Sequence, residues 1–363
     1  MNQNITEKLA LFAQNVQTIK KGFVWHHAGT KRLAALLYAL QGKTIDCDAI
    51  RESHAVIKEK TGVFSMFRGN MSIFIAAMLS LDNGCVTNGI SIHGGSQSKH
   101  LTPSGVRLPS APTVSMSVCH RQRLSDVTDV YGMLKAAKFH ASDYLAVAAY
   151  LIVADTDRAN YQNTVDRARQ FYDGMKKNNW FHTGQDDYIF ATMLGLSDID
   201  LDTGVERVNE LYRRLKPEFT MAGGGSVQAL SQMLTLGGKS DEALGHLLLL
   251  RNSLRSRRIK LDRAYTLPAL GALSLLPVDG NTLVNDMYEA QKYLRAQKGF
   301  GLFSIMTQEL LLFSSAIISS VYAKEMNDKV VAATSVSIVN IIIAQQVAMI
   351  VAVSAATSAA ASS

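Results

Sequence analysis

The chain has 363 residues, 47% of them hydrophobic and only 18% charged, with a formal charge of +7. An average soluble protein carries roughly 25% charged residues, so this one hides an unusual share of its surface, in one large repeat domain or two ordinary ones. The mild basic balance permits an acidic partner without demanding one. Three sparse cysteines, Cys47, Cys85 and Cys119, fit a reducing compartment rather than a disulfide framework. The polar start Met1–Lys8 lacks a signal-peptide core, so the chain reads as cytoplasmic.

Residues 5–21 carry Ile5, Leu9, Phe12, Val16 and Ile19 at helical spacing and read as an amphipathic helix. A more apolar helix, Arg32–Leu40, ends at Gly42. Asp46 or Asp48 caps a third, which runs to about Lys60 and is stopped by Gly62. A short turn over 63–69 leads into 70–81, which has no charge. Residues 82–118 differ in kind. Rich in Gly, Ser, Thr, Asn and Pro and without a helical period, they read as an irregular loop inserted between repeats. From Leu124 onward, charged and uncharged helices alternate. The charged ones are predicted over 124–138, 163–177, 203–216, 241–258 and 282–298, the third opened by a capping box of Thr203 and Glu206. The uncharged ones are predicted over 144–153, 188–196, 227–236, 265–276 and 308–322. Ser335–Val353 is long enough to span a bilayer. Asn340, Gln345 and Gln346 in its middle, and the lack of an aromatic belt, favour a buried helix over 330–353 instead.

A period of about 40 residues runs through this alternation. Met78-Leu79-Ser80-Leu81 has echoes ending at Leu196, Leu236 and Leu276. These four leucines are expected at equivalent, buried positions near the ends of the uncharged helices. Phe64, Phe139, Phe181, Phe219, Ile259 and Phe300 each close a charged helix, where an apolar residue would pack back under the hairpin. The charged helices should lie outside. The uncharged ones are apolar all round and should be buried on more than one side. The predicted fold is all-α: a single domain over 1–363 of repeated helical hairpins in two layers, an α/α toroid or a tightly wound α-solenoid, with no sheet.

In such a repeat the turns before the inner helices emerge at one end. That rim gathers Arg68 and Asn70, His140 and Asp143, His182 with Asp186 and Asp187, Ser226, Arg263, and Gln308 with Glu309. A polar cluster there suits ligand binding. Asn70, Asp143, Asp187 and Ser226 are equally good helix N-caps. Arg68 has no capping role, and it needs an anion or a carbonyl if buried. It is expected to pair with Asp186 or Glu309, or to hold an anionic ligand. The catalytic candidates are Arg68, His182, Asp186 and Asp187. The ligand-binding candidates are Arg68, Asn70, His140, Asp143, Arg263, Gln308 and Glu309. Asp186 and Asp187 can do acid/base work, but adjacent residues on a helix diverge by about 100° and do not share a face.

Other patterns point less sharply. Gly223-Gly224-Gly225-Ser226 before a helix suits an anion, yet no Lys follows, and a flexible turn accounts for it. Arg251, Arg255 and Arg258 share a helix face that could meet phosphates, but without aromatic interleaving it reads as a solvated outer face, so nucleic acid is disfavoured. Cys85, His93, His100, Cys119 and His120 match no zinc spacing, and no metal or cofactor is expected. Asp198, Asp200 and Asp202 lack the glycine and final acid of a calcium loop and read as a loop ending in a helix cap. Ser96-Gln97-Ser98-Lys99 sits in the irregular loop without companion motifs.

Three stretches carry a family resemblance: Thr61-Gly62-Val63-Phe64-Ser65-Met66-Phe67-Arg68-Gly69-Asn70, Asp186-Asp187-Tyr188, and Ala344-Gln345-Gln346-Val347-Ala348-Met349-Ile350. The chain resembles a bacterial domain-of-unknown-function family, number 4003, over most of its length, with the 82–118 insertion unplaced. The resemblance implies a cytoplasmic helical protein that keeps its C-terminal tail, and no activity. The leading functional reading is a binding or scaffolding module, with a protein or an anionic small molecule as partner. The rivals are an α/α-toroid enzyme of hydrolase or lyase type with a rim site around Arg68, His182 and Asp186, and a peripheral membrane protein attached through its C-terminal helix.

Overall fold

The computed structural model describes residues 1–62, 65–81, 111–179, 181–238, 241–263 and 266–327. Among these residues there are α-helices and short 3-10 turns, and no strand. The helices are α1 (Gln3–Gly22), α2 (Ala28–Leu40), α3 (Cys47–Lys60), α4 (Ser72–Leu81), α5 (Ala111–Ala136), α6 (Asp143–Asp155), α7 (Tyr161–Asn179), α8 (Asp187–Leu196), α9 (Leu201–Leu215), α10 (Gly224–Leu236), α11 (Asp241–Ser256), α12 (Leu267–Ser274), α13 (Gly280–Ala296) and α14 (Thr307–Asn327). The chain is all-α, as its patterning requires.

Each odd-numbered helix lies against the even-numbered one that follows it, giving seven hairpins among the described residues. Odd helices bury one stripe. In α1 this is Ile5, Leu9, Phe12, Val16 and Ile19. Even helices bury every side: in α6 all residues from Leu145 to Val153 are buried, and in α8 all from Asp187 to Gly195. Several hydroxyls carried into this inner layer bond back to their own helix, as Ser231 does to Val227 O and Ser314 to Leu310 O. The layers also approach closely. A Cβ added at Gly195 would stand 2.8 Å from the backbone nitrogen of Ala168 on α7.

Consecutive hairpins touch, and so do the first and the last. Helix α1 packs on α13 and α14, and α2 touches α14. Phe12 stacks against Phe300 and Phe313, with ring centroids 5.5 and 5.0 Å apart. The circuit of neighbours thus returns to its start, an arrangement compatible with an α/α toroid.

The recurrent apolar residue after each outer helix has a backbone explanation. Lys138 (φ 67°) and Arg258 (φ 63°) adopt the left-handed conformation. Phe139 N–H donates to Leu134 O and Ile259 N–H to Leu254 O, the closing bond of a Schellman cap. Phe139, Phe219, Ile259 and Phe300 are buried beneath their turns. Phe181 is not: it is 76% exposed. Phe139, Tyr172 and Tyr188 form an aromatic cluster with ring centroids 4.8–5.5 Å apart beside that turn. Phe64 lies outside the described residues.

Three further expectations are corrected. Leu236 and Leu276 are buried, but Leu81 and Leu196, the last residues of α4 and α8, are only partly so. Helix α9 is capped by Asp200, whose carboxylate accepts from Thr203 N and Oγ1, rather than by Thr203 itself. Helix α5 starts at Ala111, inside the stretch read as irregular through 118. Pro112 in its first turn reads as a breaker in composition, yet a helix start does not need its missing N–H. The predicted C-terminal helix, 330–353, and the 82–110 part of the irregular loop lie outside the described residues. No described helix is long and apolar enough to cross a membrane.

Candidate functional site

The rim of outer-to-inner turns is stitched together by contacts from each turn to the next inner helix. His140 N–H donates to the Tyr188 hydroxyl at 3.2 Å, Thr183 accepts from Gln228 at 2.9 Å, and Arg32 donates to Glu309 at 2.9 and 3.1 Å. Of the nominated residues, His140, Asp187 and Glu309 take part in contacts of this kind.

Arg68 forms no ion pair with Asp186 or Glu309, contrary to expectation. It sits at the end of the 3-10 turn Met66–Arg68 and donates to Lys58 O, Thr61 O and the Thr61 hydroxyl. These include orphan carbonyls at the end of α3, so Arg68 is a C-terminal clamp, a role that a search for N-caps overlooks. Other arginines do the same. Arg123 donates to Val153 O at the end of α6, and Arg167 to Gly195, Ser197 and Ile199 O at the end of α8. Glu309 is buried and paired with Arg32. Asn70, His140 and Arg263 are exposed, and Gln308 is half-buried. Arg263 lines a hollow of about 340 Å³ with Met221, Arg255, Lys260 and Asp262.

His182 lies flat over Gly224, where a Cβ would come within 2.3 Å of the imidazole. Gly223 holds φ at 79° as α10 begins. The triple glycine thus accommodates a ring and a positive-φ turn. The basic run is spent internally: Arg251 pairs with Glu218 and covers Phe219, and Arg255 pairs with Asp262.

One group does converge. Asp143 opens α6 and Asp187 opens α8, with Asp186 just ahead of it and Tyr144 among them. Asp187 points inward and is 2% exposed. Its Oδ2 accepts from Gly184 N at 2.9 Å and its Oδ1 from Gln232 Nε2 at 2.7 Å. Burial, followed by the neighbouring Asp186 charge, pushes its carboxyl up to about 7. Burial raises Asp143 too, and its Oδ1 is enclosed without a hydrogen-bond partner. Asp186 keeps solvent access, so the upward push on it is screened. Burial, with the charges of Asp186, Asp143 and Asp187, raises the Tyr144 phenol. Helix N-termini favour anions; here desolvation outweighs that help. Among the described residues no Lys or Arg forms an ion pair with any of the three carboxylates. Neither Asp143 nor Ser226 is an N-cap: Ser142 caps α6 and Gly223 precedes α10.

Tyr144, Gln228 and Gln232 were missed by sequence reasoning. The signal was available: two glutamines four residues apart on a helix otherwise without charge share one face. Gln228 and Gln232 are fully buried, and each has an unpartnered Oε1. Among the described residues no group of three His, Cys, Asp or Glu side chains could hold a metal ion. A second hollow, of about 710 Å³, runs along the outer layer between α7 and α9, lined by Lys177, Glu206 and Tyr212 among others and by none of the nominated residues.

The model of a family described as a protein of unknown function (DUF4003) matches residues 15–88 and 104–348. The gap between the two matched segments falls inside the Gly/Ser/Pro-rich insertion. No curated protein and no solved structure matches the chain.

Proposed function

The chain belongs to the DUF4003 family, and on that premise we propose that it is a binding or scaffolding module whose rim takes a cationic group at Asp143, Asp186 and Tyr144. The observation that carries this reading is the set of carboxylates at one place on a basic protein without a described cation to balance them. Uncompensated, desolvated charge gathered at one place is a mark of a binding site. A ligand ammonium or guanidinium would supply the missing charge. The anionic ligand that the sequence suggested loses its anchor, because Arg68 is held by carbonyls. The enzyme reading loses support for a related reason. Both oxygens of Asp187 are engaged by protein donors deep inside, and Arg68 is spent on the carbonyls at the end of α3.

Spermidine serves as a small cationic probe. Saturable binding by calorimetry, weakened about tenfold or more by Asp186→Asn with a melting temperature that does not fall, is the expected result; such a loss corresponds to one charge-assisted contact. Binding that is absent, or indifferent to Asp186→Asn and Asp143→Asn alike, would remove the acidic sector as the site.

A further inference from the structure

A different sector of the same rim exposes apolar side chains that the fold does not use. In the turn between α1 and α2, Val24 is 64% and Trp25 97% exposed. In the turn between α13 and α14, Leu302 is 75% exposed, Phe303 fully so, and Met306 49%. The circuit of hairpins makes these turns neighbours. Arg32 donates to Ser304 O and pairs with Glu309, and Gln17 donates to Lys298 O. The two turns therefore present their tips from one anchored base.

The charges carried by these two turns and their flanks are mostly positive. Within 17–32 and 296–309 the charged residues are Lys20, Lys21, Lys31, Arg32, Lys298 and Glu309. Glu309 is neutralised by Arg32, which leaves four lysines. Lys20, Lys21 and Lys298 are exposed. The Lys31 ammonium is held below its ordinary pKa by partial burial and then by Lys20 and Arg32, which marks these cations as crowded.

We propose that this sector docks the protein on an anionic lipid surface, with Trp25 and Phe303 entering the headgroup boundary and Lys20, Lys21, Lys31 and Lys298 meeting lipid phosphates. Aromatic and aliphatic tips ringed by lysine suit the interface, where one side of the contact is apolar and the rest is wet and negative. A protein partner is served better by a continuous packed patch around a central pocket; here the exposed apolar groups belong to two separate turns. The proposal is independent of the C-terminal stretch and of the acidic sector, which belongs to the turns before α6 and α8.

The test uses the full chain with a Trp180→Phe substitution, so that Trp25 is the one fluorophore of its kind, and vesicles of phosphatidylcholine with or without phosphatidylglycerol. The expected result is co-sedimentation and a blue shift of Trp25 emission with the anionic vesicles alone, weakened by salt. In the chain with Trp180 restored, Trp25→Ser with Phe303→Ser should lower partitioning about tenfold or more at an unchanged melting temperature, since both side chains are already exposed. Lys20→Glu with Lys298→Glu should lower it without touching the aromatic tips. Failure to bind anionic vesicles overturns the proposal. So does binding that survives the Trp25/Phe303 pair, which would place the contact elsewhere in the chain. Self-association without vesicle binding, abolished by that same pair, would also overturn it and make the patch a contact between copies.

Discussion

Replacing Asp187 by asparagine should make the protein more stable at pH 8. Asp187 is buried, and its carboxyl is raised from 3.8 to about 7, first by burial and then by Asp186. A carboxyl whose folded pKa exceeds its unfolded one binds its proton more tightly in the folded state. Its contribution is complete below pH 3.8 and is lost as pH rises through about 7. Each unit corresponds to about 1.4 kcal/mol. Ionised Asp187 therefore costs at most roughly 4 kcal/mol, and about half that if Asp186 shares the titration. Asparagine removes the charge. Its oxygen can still accept from Gly184, while its amide can donate to Gln228 or, after a flip, to Gln232, whose Oε1 atoms are unpartnered. Urea unfolding of both proteins between pH 4 and pH 8 measures the effect. The variant should gain about 2–4 kcal/mol at the alkaline end, with the difference closing toward pH 4. Parallel pH curves, or a variant less stable than wild type at pH 8, would refute the claim that a buried, ionisable Asp187 weakens the fold.

Other outcomes follow from the same geometry. Lys138→Gly should raise stability by about 1 kcal/mol, because φ 67° strains any side chain there; a thermal melt checks it, and a lower melting temperature contradicts the cap. Arg68→Ala should cost about 1–3 kcal/mol through the uncovered carbonyls of α3 while leaving spermidine binding intact. Arg32→Ala should cost roughly 2–4 kcal/mol, because it strands the buried Glu309 carboxylate, and Glu309→Gln in the same chain should recover part of the loss. His54 is held down to about 4 by burial and then by Lys58, so the unfolded state takes up its proton first. Stability should fall as pH drops from about 6.5 toward 4, and His54→Phe should flatten that part of the curve.

The alternation of helices was legible because the outer helices are rich in charge and the inner ones carry it mainly near their ends. That pattern needs no knowledge of the partners. The caps were legible where a side chain does the work, as at Asp46, and illegible where the backbone does. Lys138 and Arg258 stand where glycine is the usual signal for a left-handed turn. The roles of the rim residues depend on acceptors that a sequence does not display. Arg68 answers to main-chain carbonyls, and Glu309 to an arginine 277 positions away. Depth was equally hidden. Asp186 and Asp187 look alike in the sequence, yet only the second is drawn under the rim by Gly184 and Gln232.

The stacking of Phe12 on Phe313 bears on how the chain is made. The two rings belong to the first and last described hairpins, roughly 300 residues apart. At a ribosomal rate of about 5–20 residues per second, the α1 stripe waits roughly 15–60 s for the surface that will cover it. An open repeat array can grow stable one unit at a time. A chain whose two ends clasp must instead hold an unfinished, oily edge on each side until the last hairpin emerges. Premature termination before α13 should then yield aggregates rather than a shorter working protein, and the nascent chain should be a client for chaperones through most of its synthesis.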